Sequence, residues 1–176
     1  MAIDGDPGPG LESEQHHRPL FHLPRGEAAF SAYEAAFDQI YRSGPVIDVL
    51  KRRVIFPKYA CQHVCFKGSD NDRYGRSPRT IWDQERADYI PLILPALTDP
   101  KTEVRPDHQN KRNNAYLFTI SIRTETGLIH VRYYVVVSPG QRNEEVVFNT
   151  AYPVNKKYWD AAKRAGRTLY PPPAKR

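Results

Sequence analysis

The segment from Asn114 to Pro153 constrains this chain most. It holds three runs rich in β-branched and aromatic residues, at 116–123, 128–138 and 145–152. Thr124-Glu125-Thr126-Gly127 and Pro139-Gly140-Gln141-Arg142-Asn143 separate them with turn chemistry of hairpin length. Three such runs joined by short turns predict an antiparallel β-meander. Alternation assigns the faces. Tyr116, Phe118, Ile120 and Ile122 share one side of the first run, and Val131, Tyr133, Val135 and Val137 one side of the second. If these apolar sets share a face, Thr119, Ser121, Arg123, His130, Arg132 and Tyr134 line the other. Such a face is either a solvated exterior, as antiparallel sheets commonly have, or a floor that binds phosphate.

The residues before the meander read as helical. Phe30, Tyr33, Phe37, Ile40 and Tyr41 recur at helical spacing, so 27–42 is predicted as a helix ended by Ser43-Gly44. Pro45 can open a second helix containing Val46, Val49 and Leu50. Residues 54–66 read as extended, broken at Pro57, and carry Lys58 and His63. Residues 67–79 form a polar loop with Arg73, Arg76 and Arg79, either a mobile connection or a basic substrate-contacting loop. Residues 80–97 are helical in character, with a fresh start at Pro91, and Thr98-Asp99-Pro100 ends them. A polar connection follows over 101–114. After the meander, Asn155 can cap a short helix that Gly166 closes.

The fold class is therefore α+β: N-terminal helices, an antiparallel meander of three to four strands, and a short C-terminal helix. A chain of 176 residues fits one such domain with tails. The domain spans 27–166. Residues 1–26 lack periodicity and form a disordered or loosely docked arm, and 167–176 form a basic, Pro-rich tail.

Charge and composition narrow the partners. The net charge is +6, and residues 154–176 hold seven Lys or Arg against the single Asp160. A basic surface of this kind suits a polyanion such as RNA. No apolar run approaches the roughly 18 residues of a membrane span, and 1–10 does not have the pattern of a signal peptide. The expected location is cytoplasmic, in its own cell or a target cell, with no membrane partner. Cys61, His63 and Cys65 offer three potential zinc ligands at unusual spacing, one short of a closed site. Buried free thiols are the default, and no metal or other cofactor is expected.

Four stretches then occur in a telling order. They are Gln62-His63-Val64, Ala96-Leu97-Thr98-Asp99-Pro100, the run 130–137 around His130 and Arg132, and Val146-Val147-Phe148-Asn149-Thr150-Ala151-Tyr152-Pro153. In this order the chain resembles the barnase–EndoU–colicin–RelE (BECR) nucleases, particularly versions from phages and polymorphic toxins. The resemblance covers roughly 54–153, and the insert at 67–79 has no counterpart in it. It implies a metal-independent ribonuclease in which a ribose 2′-oxygen attacks phosphorus, giving a 2′,3′-cyclic phosphate and a 5′-hydroxyl. It implies a toxin, effector or phage role, RNA as partner (tRNA among the candidates), and a cognate immunity or antitoxin protein. Catalytic expectations are His63 as general base or acid with His130 as its partner, Arg132 on the scissile phosphate, and Thr150 assisting. Lys58, Arg79, Ser121, Tyr134 and Tyr152 are the substrate-binding expectations. His suits proton transfer near neutrality, and Arg donates to phosphate in a charged fork. Regular alternation would turn Thr150 to the core with Phe148, whereas a bulge would turn it outward. The alternatives are a non-catalytic nucleic-acid-binding or phage structural protein and a zinc enzyme around His63.

Overall fold

Across β6 (Asn114–Thr124) and β7 (Gly127–Pro139), Tyr116 faces Val135, Phe118 faces Tyr133 and Ile120 faces Val131. The two apolar sets do share a face, and all these side chains are buried in the main core. Gly127, at φ +128°, closes the two-residue turn between these strands. Gly140 opens the next turn, where a Cβ would lie 2.8 Å from the Glu145 backbone.

The computed structural model describes residues 23–68 and 78–171. The class is α+β. A 3-10 turn at Glu27–Ala29 runs into α1 (Phe30–Tyr41). Then come β1 (Val46–Ile47), β2 (Arg53–Ile55), α2 (Ala60–Cys65), β3 (Phe66–Lys67) and β4 (Ile81–Trp82). Helix α3 (Gln84–Asp88), a 3-10 turn (Ile90–Leu92) and α4 (Ile93–Thr98) lead into β5 (Glu103–Pro106), β6 and β7. The described chain closes with β8 (Glu145–Pro153) and α5 (Lys156–Lys163). Six strands make one sheet in the order β1-β2-β8-β7-β6-β5, and β3 pairs with β4 separately. Within the large sheet only the β2–β8 pair is parallel.

One sheet face packs against α1, α2 and α4 through Tyr33, Phe37, Val64, Ile93 and Leu97. On the other, Trp159 and Ala162 of α5 cover Ala115, Leu117, Tyr134 and Val136. That second face is therefore half-covered, not a continuous polar floor. Asn155 caps α5 as expected, its side chain accepting from the Tyr158 amide.

The strand β8 carries the irregularity that places the site. Val136 pairs with Thr150, but the next residue, Val137, pairs with Phe148, so Asn149 is the extra residue of a β-bulge. Phe148 enters the core, its ring 5.2 Å from Phe56 and 6.3 Å from Phe37. Thr150 shares the opposite face with Val136. Strand β2 pairs with β8 only as far as Ile55 and Val147. Beyond that point α2 packs against the edge of β8.

Several local expectations are corrected. Residues 54–66 are not extended throughout: Ala60, Cys61, Val64 and Cys65 are buried at helical spacing and form α2. The helix is only six residues long, which hides its period. Pro45 opens no helix. The Asp48 carboxylate is buried and accepts from the Arg52 amide and Nε and from the Tyr116 hydroxyl. These bonds fold 48–52 into a turn between β1 and β2, with Lys51 at φ 64°. The polar connection over 101–114 contains β5. In the C-terminal tail, Tyr170 is tied to Val104 by backbone hydrogen bonds. Of the N-terminal arm, 1–22 lie outside the described residues. Leu23 packs on the core, and Arg25 pairs with Asp88 at 3.2 Å.

Phe148→Ala empties the centre of an aromatic cluster and is expected to lower unfolding free energy by about 3–5 kcal/mol. Chemical denaturation measures this, and a loss below about 1 kcal/mol contradicts the packing described.

Candidate functional site

A helix as short as α2 leaves its last carbonyls without partners inside the helix. The His63 carbonyl is one of them. It accepts from Arg79 Nη1 at 2.7 Å and from Thr150 Oγ1 at 3.2 Å. Arg79 Nη1 also lies 3.3 Å from Thr150 Oγ1. The bulge makes this possible, because it turns Thr150 away from Phe148. Three residues far apart in sequence are thus tied together at one edge of the sheet.

The His63 ring packs 4.5 Å from the Tyr59 ring and is half-buried. Burial, and then the charge of Arg79, hold its pKa below the ordinary value, while a hydrogen bond with the Asn149 backbone pulls the other way. The balance of these effects favours the neutral imidazole.

Arg79 has no carboxylate partner among the described residues. Burial, and then the nearby charge of Arg86, depress its pKa. Arg86 comes from α3. Its Nε lies 3.4 Å from Asp83, and its guanidinium stands 4.6 Å from the centre of the Tyr152 ring. Two neighbouring guanidiniums, one partly desolvated and without a carboxylate partner among the described residues, repel each other, and a bound anion would relieve that repulsion. They line a cleft of about 410 Å³ together with Thr150, Tyr152 and Tyr158. The Tyr152 and Tyr158 hydroxyls are 2.7 Å apart, and burial keeps both phenols protonated.

Of the residues expected at the site, the structure groups His63, Arg79, Thr150 and Tyr152. Tyr134 lies beneath Tyr152 with its ring centre 5.8 Å away, but it is fully buried and donates to Asp107 at 2.7 Å. It supports the cleft without facing it. Arg132 is not beside His63, which corrects the central spatial expectation. It stands four residues along β7 from Val136, the partner of Thr150, a separation of roughly 13 Å along a strand. Its guanidinium acts instead on α5, where Lys156 first, and Arg164 and Arg132 after it, hold the Asp160 carboxyl below its usual range. His130 and Ser121 are also remote. They pair across the outward part of the hairpin, with His130 Nδ1 2.7 Å from Ser121 Oγ. Lys58 is exposed on the turn before α2 and does not line the cleft. Arg73 and Arg76 lie outside the described residues.

Arg86 and the 107–113 connection were not anticipated. Asp83 as N-cap of α3, accepting from the Arg86 amide, was the available signal for a helix that aims Arg86 at the cleft. The zinc arrangement does not assemble. Cys61 and Cys65 sit one turn apart with sulfurs 3.8 Å from each other in the core. His63, two residues from either, falls on the other side of α2. Among the described residues no three His, Cys, Asp or Glu side chains converge, and no helix is long and apolar enough to cross a membrane.

Comparison with protein-family models, with curated proteins and with solved structures gives no match to this chain.

Because the folded state lowers the His63 pKa, it binds fewer protons there than the unfolded chain. This contribution to stability is therefore complete above pH 6.5 and is lost as the pH falls below it. An NMR titration is expected to place the His63 pKa below 6.5 in the wild type and higher in Arg79→Ala. An unchanged value in the variant contradicts the proximity of Arg79.

Proposed function

We propose that this chain is a metal-independent endoribonuclease that cleaves RNA by 2′-oxygen attack. The observation that carries the reading is half-buried His63, whose backbone carbonyl holds Arg79 and Thr150, two residues that line a cleft together with Arg86. Transphosphorylation needs a base for the 2′-hydroxyl, cations for the phosphate and an acid for the leaving 5′-oxygen. His63 is the base, since a lowered pKa leaves it free to accept a proton at pH 7. Arg79 and Arg86 hold the non-bridging phosphate oxygens and neutralise the charge that grows on them. Tyr152, kept protonated, supplies the proton to the 5′-oxygen. The P–O2′ bond forms as the P–O5′ bond breaks. The products are a 2′,3′-cyclic phosphate and a 5′-hydroxyl, and no metal enters the step.

The element order supports the same reading. Helices interleaved with the short strands β1 to β4 precede four consecutive antiparallel neighbours, β5 to β8, and the last of them ends in Thr150-Ala151-Tyr152-Pro153. Arg79 takes the phosphate role that the resemblance assigned to Arg132. A toxin or effector role, with a cognate immunity or antitoxin protein, accords with this activity. It would appear as poor expression in bacteria that His63→Ala relieves.

Cleavage of RNA in EDTA by three variants tests the proposal. His63→Ala is expected to lower the rate by about 10²–10⁴-fold, and Arg79→Ala by about 10²–10³-fold. Arg132→Ala is expected to remain near wild type. Wild-type rates in His63→Ala overturn the assignment. Salt-sensitive RNA binding by the wild type without cleavage favours a non-catalytic nucleic-acid-binding protein instead.

A further inference from the structure

The cleft is also lined by the connection from β5 to β6, through Gln109, Asn110 and Asn113. This connection is rigidly tied. The Asp107 amide donates to the Asn113 carbonyl at 2.9 Å, and the Asn113 amide to the Asn110 carbonyl at 2.9 Å. The Asp107 side chain is buried, and its carboxylate accepts from Tyr134 and from the Asn110 amide at 3.1 Å. Asp107 is thus satisfied within the fold, and the Asn110 side-chain Oδ1 accepts from the Arg112 amide at 3.2 Å. The side-chain amides of Gln109 and Asn113 have no hydrogen-bond partner among the described residues.

We propose that this wall is a nucleobase-binding subsite, so that the cleft takes one nucleotide with its phosphate on Arg79 and Arg86 and its base against Gln109 and Asn113. The inference rests on the ribonuclease reading and adds the recognition of a base to it. A primary amide presents a donor and an acceptor side by side, which matches the paired groups on the edge of an unpaired base. Tyr158 lines the same space, and its ring packs at 83° to the His108 ring with centroids 4.6 Å apart, which restrains its orientation. Aromatic surface of this kind is what unstacked bases lie against. A volume of about 410 Å³ falls within the range of pockets that hold one small ligand. The hydrogen bonds that freeze the loop spare a ligand that ordering cost.

The test uses the full chain carrying His63→Ala, in which turnover is expected to be strongly slowed. Inorganic phosphate, ribose 5-phosphate and the four nucleoside 3′-monophosphates are titrated into it by calorimetry. At least one nucleotide is expected to bind about tenfold or more tightly than either phosphate or ribose 5-phosphate. Adding Gln109→Ala and Asn113→Ala is expected to erase that advantage while leaving the affinity for inorganic phosphate unchanged. If phosphate binds but no nucleotide exceeds ribose 5-phosphate, the base subsite is wrong and the anion site stands. The subsite also fails if the amide variants keep the full advantage. If phosphate itself does not bind, the arginine site and the ribonuclease reading fall with it.

Discussion

The bulge at Asn149 is the constraint on which the site depends. A regular β8 would place Thr150 in the core behind Phe148. One extra residue lets Phe148 fill the aromatic cluster with Phe37 and Phe56 while Thr150 turns outward to the His63 carbonyl. The strand β2 stops at the same level, so the edge of β8 is open to α2 rather than to another strand. Core packing and site geometry are thus set by the same irregularity. Bulges next to functional clefts re-aim side chains in this way.

Around that edge Arg79 has no carboxylate partner among the described residues. Asp48 and Arg52 show how the chain treats a buried ionic pair elsewhere: the carboxylate accepts from Arg52 and Tyr116, and the guanidinium is shared between Asn114 and Tyr116. Arg79 is treated differently. It is partly buried, lies near a like charge, and its named partners are a carbonyl and a hydroxyl. An arrangement of that kind gains from a bound anion, which is the premise of the proposed ribonuclease activity.

Much of the fold was legible in the alternation of β6 and β7, because a period of two with bulky apolar residues leaves few other solutions. The aromatic spacing of α1 and the Asn155 cap of α5 were equally readable. Helix α2 was not, since six residues make fewer than two turns and leave too little period to read. The turn at Asp48 was hidden because its cause is a carboxylate meeting Arg52 and the distant Tyr116. For the site, His63, Thr150 and Tyr152 were recognisable from short motifs. Their cationic partner was misplaced: alternation put Arg132 on the correct face of the sheet but could not give its distance along the strand from Thr150. Arg79 and Arg86 reach the cleft from segments whose course depends on tertiary packing, and no local period encodes that.

The chemistry of the ends left on cut RNA tests the account most directly. Mass spectrometry of an oligoribonucleotide incubated with the wild-type protein in EDTA should show 2′,3′-cyclic phosphate and 5′-hydroxyl termini, the signature of attack by the substrate's own 2′-oxygen. Termini bearing 3′-hydroxyl and 5′-phosphate, or intact RNA at protein concentrations that saturate it, would contradict the roles given to His63 and the two arginines.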